Sequence, residues 1–149
     1  AGELADVASD VLSAARRFGF KRKLNLHPVE SIEDPNLAIA GIAVSFLELD
    51  DFPTTAHRDA LNVQLRSQLR VDQPTADELI ILGRWFMTES GGAAPAISRI
   101  SRKLNKIDGA KSLEPLLTIV QNTLTSGGSG LNDRQREALD DLRRAFRLG

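Results

Sequence analysis

The chain has 149 residues, of which 42% are hydrophobic and 26% are charged, and this balance is typical of a globular protein, not of a disordered or fibrous one. Nineteen Lys and Arg against 20 Asp and Glu leave a net charge of −1, so no overall charge draws the protein to nucleic acid or to an anionic membrane. Cysteine is absent, which excludes disulfides, thiolate metal sites and cysteine nucleophiles. The longest apolar run, 37–44, is too short for a transmembrane helix, and we expect a cytoplasmic protein.

The first two helices are predicted from apolar spacing and from capping residues. Apolar residues recur at helical spacing over 4–18, and Gly19 can end this helix. Asp34 is suited to cap the second helix, whose almost wholly apolar stretch 37–47 predicts a helix buried at the centre of the protein. Residues 1–33 are therefore expected to form an N-terminal helix and a basic connector.

Five more helices are expected downstream. Thr54 is predicted to cap the third, and a T-x-x-E capping box of Thr75 and Glu78 predicts the start of the fourth. The fifth begins at Pro95, a sixth follows, and Asn132 caps the seventh. No segment alternates apolar and polar residues as a strand does. The predicted fold class is all-α, a compact bundle of about six to eight helices in one domain.

Part of the sequence is repeated within the chain. Residues 53–61 align without gaps to residues 131–139. Each copy follows an apolar helix and a loop, and each has a cap residue, Thr54 or Asn132, ahead of an Arg, an acid, Ala and Leu in that order. Two helical hairpins related in this way often pack about a pseudo-twofold axis. We therefore expect two pseudo-symmetric hairpins in the bundle.

The repeat resembles the tellurite-resistance TerB family and the related N-terminal domain of membrane-anchored DnaJ-like co-chaperones. That family joins an apolar helix, an acidic Asp-Gly turn, a Ser-like cap, an acid-rich first turn and Ala-Leu. Here residues 50–54 fill the turn, Asp-Ala-Leu follows at 59–61, and the resemblance spans about 35–148. The family's Asp-Gly is replaced by Asp-Asp at 50–51 and by Gly-Ser at 128–129, and no His-Pro-Asp J-motif occurs, so co-chaperone activity is not carried over. The resemblance implies an interaction module in a larger protein or a stress-response assembly.

An acidic cluster is a candidate metal site. Glu48, Asp50 and Asp51 lie at the end of the second predicted helix. Hard cations prefer carboxylate oxygens, so these residues predict a Ca²⁺ or Mg²⁺ site. The alternative is a solvated acidic loop, because the spacing of a dedicated calcium loop is missing.

Two basic patches are candidate anion or partner sites. The first comprises Arg16, Arg17, Lys21, Arg22 and Lys23, and the second comprises Arg99, Arg102, Lys103 and Lys106. Phe18 and Phe20 are interleaved with the first patch. Cations attract phosphates, and exposed aromatic rings stack on bases or enter a membrane interface. The alternative is that both rings are buried in the core and the cations are solvated.

Catalytic patterns are not found in the sequence. The two histidines, His27 and His57, are thirty residues apart and lack the spacing of an imidazole metal site, and no G-x-S-x-G turn indicates a hydrolase. The leading hypothesis is therefore a non-catalytic helical module without a cofactor that binds another protein or domain, with a homodimer as a variant. The alternatives are a nucleic-acid or anionic-surface binder and a divalent-metal-binding domain.

Overall fold

Every regular element in the described part of the chain is helical. The computed structural model describes residues 2–23, 25–50, 53–126, 128 and 130–148, and within them the side chains from Ser9 to Arg147. The α-helices are α1 (Gly2–Arg17), α2 (Pro35–Glu48), α3 (Thr55–Leu69), α4 (Gln73–Glu89), α5 (Ala93–Asp108), α6 (Leu113–Thr125) and α7 (Asp133–Leu148). Short 3₁₀ helices lie at Pro28–Ser31 and Gly109–Ser112. The predicted all-α bundle of about six to eight helices is confirmed.

Helix α2 forms the centre of the bundle, as its apolar sequence predicts. Every residue from Leu37 to Leu47 is buried, and α4 and α5 pack along this helix. Asp34 caps it by accepting the Asn36 N–H at 2.9 Å. Although α2 is mostly apolar, none of the helices in the described ranges is both long and apolar enough to cross a membrane.

Two glycines allow close packing around α2. A Cβ atom at Gly83 of α4 would lie 2.8 Å from the carbonyl oxygen of Ala40 in α2. A Cβ atom at Gly41 of α2 would lie 2.9 Å from Ile100 Cδ1 of α5. Because interiors are packed to a high density, such contacts fix the positions of α4 and α5 on the central helix. The outer face of α5 is thereby held towards solvent.

The predicted start of α4 is wrong. The helix begins at Gln73, because Asp72 accepts the Thr75 N–H at 2.9 Å and takes the cap position. Pro74 is tolerated because it falls in the first turn, where its missing N–H is not needed. Helix α5 also begins earlier than predicted, at Ala93 instead of Pro95.

The two copies of the repeat have the same capping geometry. The Thr54 hydroxyl accepts the His57 N–H at 3.2 Å, and His57 Nδ1 accepts the Thr54 N–H at 3.3 Å. Asn132 Oδ1 accepts the Gln135 N–H at 2.8 Å, and Gln135 Oε1 accepts the Asn132 N–H at 2.9 Å. The predicted caps are confirmed. Beyond the caps the copies pack differently, since α3 lies along α6 whereas α7 lies along α5.

The second copy also closes the end of the central helix. Asn132 Nδ2 donates to the Leu49 carbonyl at 3.1 Å, and Gln135 Nε2 donates to the Phe46 carbonyl at 3.4 Å. These bonds join the start of α7 to the end of α2, where the Phe46 carbonyl also accepts the Leu49 N–H at 3.2 Å. In the first copy the equivalent atom, His57 Nε2, is buried without a hydrogen-bond partner among the described residues.

Candidate interaction surface

The first basic patch is largely paired within the molecule. The Arg17 guanidinium lies 3.7 Å from the carboxylate of Asp72, which caps α4, and 3.7 Å from the carboxylate of Glu78 in α4. Arg22 lies 3.9 Å from Glu89, and Lys23 lies 3.6 Å from Glu33. These exposed pairs contribute little stability, but they lower the net positive charge that the patch presents to a ligand.

One of the partners of Arg17 has a perturbed pKa. The Thr75 hydroxyl and the Thr75 N–H donate hydrogen bonds that lower the pKa of the Asp72 carboxyl group, and the positive charge of Arg17 lowers it further. Arg17 also donates to the Thr75 hydroxyl at 3.0 Å. The guanidinium is therefore part of the structure that begins α4.

The aromatic rings of the first patch pack on the core. Phe18 and Phe20 are half-buried against it, and the Phe20 ring contacts the Phe86 ring edge-on with centroids 5.3 Å apart. Neither ring is presented for stacking on a base. Among the cations of this patch, only Arg16 and Lys21 lack an ion pair within the described part of the chain.

The second basic patch differs from the first in the pairing of its cations. Arg99, Arg102, Lys103 and Lys106 occupy positions i, i+3, i+4 and i+7 of α5 and therefore share one face, which we name the α5 cationic stripe. None of them forms an ion pair with a described carboxylate. The acidic residue of α5, Asp108, accepts a hydrogen bond from the Ser112 hydroxyl. Like charges at these spacings destabilise a helix by about 0.2–0.5 kcal/mol per pair, so this face is not optimised for stability alone.

A groove runs between α5 and α7 beside this stripe. Its main part has a volume of about 640 Å³ and is lined by Ile97, Ser98, Ser101, Arg102 and Asn105 of α5 and by Asp141, Leu142, Arg144 and Ala145 of α7. A smaller part of about 220 Å³ shares Ile97, Ser98 and Asp141 with it and extends to Ala94. We name both parts the α5–α7 groove. From Ala94 to Asn105 the groove follows about 17 Å of helix, or three turns.

The two rims of the groove differ in charge. The α7 rim carries both signs, and Arg144 lies 3.3 Å from Asp141. The α5 rim carries Arg102, which belongs both to the groove and to the stripe. Ile97 and Leu142 supply apolar surface between the rims. The α5 side of the groove therefore favours a negatively charged ligand.

Ser101 lies in the α5 wall of the groove, beneath its surface. Its side chain is fully buried, and its hydroxyl has no hydrogen-bond partner within the described ranges. Ser45, by contrast, donates to the Gly41 carbonyl one turn earlier at 2.7 Å, as buried helix serines commonly do. A buried polar group without a partner costs about 1–3 kcal/mol, so the Ser101 hydroxyl lowers the stability of the fold.

The acidic cluster is not assembled around a common point in the described structure. Glu48 lies 3.7 Å from the Arg84 guanidinium, and Asp50 lies 3.9 Å from His57 Nδ1. Asp51 lies outside the described residues. Within those residues no three His, Asp or Glu side chains are grouped closely enough to hold a metal ion. The divalent-cation site stays a prediction.

Sequence reasoning did not find the α5–α7 groove. The pattern marks Ile97 and Leu142 as core residues, but it does not reveal that their two helices are neighbours. One signal was available, because Ser101 interrupts the apolar stripe of α5 beside Ile100. A polar residue on a buried helix face usually has a hydrogen-bond partner, and the sequence shows none for Ser101.

No family model, curated protein or solved structure matches the chain. The resemblance to the TerB family therefore rests on the repeat and its turn.

Proposed function

We propose that the chain is a non-catalytic, TerB-like helical module that binds another polypeptide in the α5–α7 groove. It acts without a cofactor, as a domain of a larger protein or as a component of a stress-response assembly. The observation that carries the proposal is the groove, which combines an apolar floor with charged rims. Grooves between helices receive the apolar side chains of a partner segment, while the rims pair with its polar groups.

Binding to nucleic acid or to an anionic surface is the weaker proposal. In the first basic patch three cations are paired, and the adjacent rings of Phe18 and Phe20 pack on the core. No aromatic side chain is among the described residues that line the α5–α7 groove. Proteins that bind single strands combine a long positive surface with aromatic stacking. Only the α5 cationic stripe supports this alternative, which predicts binding that weakens steeply with salt.

A groove-filling variant tests the proposal. Ser98 is exposed and lines both parts of the groove, so Ser98→Trp fills the groove without a change in charge. Ser67→Trp is the matched control, because Ser67 is an exposed serine of α3. Each protein is immobilised and exposed to native cell extract at low and at moderate salt. The eluate is analysed by mass spectrometry and stained for nucleic acid.

The expected result is a defined protein that is retained at moderate salt by the original chain and by Ser67→Trp, but not by Ser98→Trp. Circular dichroism of all three proteins establishes that each is folded. Equal retention by Ser98→Trp and the original chain would place the binding surface elsewhere. Capture of nucleic acid alone, lost at moderate salt, would support the weaker proposal instead.

A further inference from the structure

We infer that the segment bound by the α5–α7 groove is an acidic amphipathic helix of a partner protein, with its carboxylates on the α5 cationic stripe and its apolar side chains in the groove. This inference rests on the proposed function and names the chemistry of the partner. It also assigns the acidic flank of the bound segment to the α5 side, because the α7 rim carries both positive and negative side chains.

The shape of the groove favours a helix as the occupant. Two helices that pack side by side leave a furrow into which the side-chain ridge of a third helix fits. The groove follows α5 for three turns from Ala94 to Asn105, which matches an amphipathic segment of about 11 residues. Ile97 and Leu142 lie between the rims and offer the apolar contact.

The charge of the α5 rim favours carboxylates on that side. The stripe extends from Arg99 to Lys106, about 10 Å along the helix, and its cations have no described acidic partner. Arg102 is the member of the stripe that lines the groove, so carboxylates on the near flank of a partner helix would pair first with Arg102 and then with the stripe cations beside it. Arg144 on the α7 rim already lies 3.3 Å from Asp141, so this side offers no excess of positive charge.

Fluorescence anisotropy with designed peptides tests the inference. The probe is a labelled amphipathic peptide of about three turns or more, with Leu at i, i+3, i+4 and i+7 and Glu along one flank. A scrambled peptide of the same composition and a peptide with Lys in place of Glu are the controls. We expect the acidic probe to bind at least about tenfold more tightly than either control. Equal binding of the scrambled or the Lys peptide overturns the inference.

A charge-reversed double variant locates the site. Arg99→Glu with Arg102→Glu places each new Glu four residues before a Lys, a spacing that favours the helix, so α5 is expected to remain folded. The acidic probe should bind this variant at least about tenfold more weakly. Arg16→Glu with Lys21→Glu is the matched control, because both cations are exposed and lack a described ion pair. Equal loss of binding in both double variants refutes the assignment to α5.

The remaining outcomes separate this inference from the proposed function. If Ser98→Trp abolishes capture of a protein from extract but the acidic probe does not bind, the groove is a binding site and the acidic helix is wrong. If a single-stranded oligothymidine or phosphatidylserine vesicles bind with the same dependence on Arg99 and Arg102 and the peptide does not, a different anion is the ligand. If the chain associates with itself in sedimentation and Arg99→Glu with Arg102→Glu abolishes this, the occupant is a second copy.

Discussion

Replacing Gly83 by Ala tests the closest contact between α2 and α4. The added Cβ atom would lie 2.8 Å from the Ala40 oxygen and 2.9 Å from the Ala40 carbonyl carbon. Both are backbone atoms, so no side chain can rotate away, and one helix has to move. Overpacking of this kind costs about 1–3 kcal/mol, while the better helix propensity of Ala returns about 1 kcal/mol. We expect a net loss of up to about 2 kcal/mol in the free energy of unfolding.

Urea unfolding followed by circular dichroism measures this loss, and Gly41→Ala is its control. A Cβ atom at Gly41 would lie 2.9 Å from Ile100 Cδ1, which is the end of a flexible side chain. Because Ile100 can turn away, we expect the free energy of unfolding of Gly41→Ala to stay within about 1 kcal/mol of the original. A Gly83→Ala protein that is more stable than the original, or a larger loss for Gly41→Ala than for Gly83→Ala, would refute the described packing of α4 on α2.

Substitutions at four other positions, His57, Asp72, Ser101 and Thr123, test local features. His57→Gln places in the first repeat copy the residue that the second copy has at Gln135, and it should change the free energy of unfolding in urea by less than about 1 kcal/mol. His57→Ala removes the side-chain bond to the Thr54 N–H and should lower the free energy of unfolding by about 1–2 kcal/mol. Asp72→Ala should lower the melting temperature at neutral pH. The pKa of Asp72 is lowered in the folded state, so the stabilisation by its carboxylate is present above the unfolded-state pKa and is lost as the pH falls through the folded-state pKa. The difference in melting temperature between the original protein and Asp72→Ala should therefore narrow in acid. A difference that stays constant with pH would contradict this. Ser101→Ala removes a buried hydroxyl that has no described partner and should raise the free energy of unfolding in urea by about 1 kcal/mol. Thr123→Val on α6, which removes another such hydroxyl, should raise it similarly, and a loss of stability in both variants would contradict this account.

The features that depend on neighbours in sequence could be predicted. The buried helix α2, the caps at Asp34, Thr54 and Asn132, and the end of α1 at Gly19 follow from apolar spacing and from side chains that bond backbone groups two or three residues away. The predicted start of α4 was wrong because two neighbouring residues carry the same local capping signal. Asp72 and Thr75 are both good caps three residues apart, and the spacing alone does not decide between them.

The binding surface depends on contacts between distant parts of the chain. Arg22 pairs with Glu89, and this partner cannot be found from the local charge pattern. The two basic patches are similar in sequence. In the fold, three cations of the first patch pair with carboxylates, whereas the cations of the second patch form no ion pair with a described carboxylate. The 3₁₀ helix at Pro28–Ser31, capped by His27, was also not predicted.

The central claim is that the α5–α7 groove is the surface on which a partner segment binds. Its most direct test is the change in amide chemical shifts of the ¹⁵N-labelled chain on addition of the acidic amphipathic peptide. We expect the largest changes at residues 94–106 of α5 and 134–145 of α7, and we expect the scrambled peptide to leave these signals in place. Changes concentrated in α1 and α4, or spread evenly over the bundle, would contradict the claim.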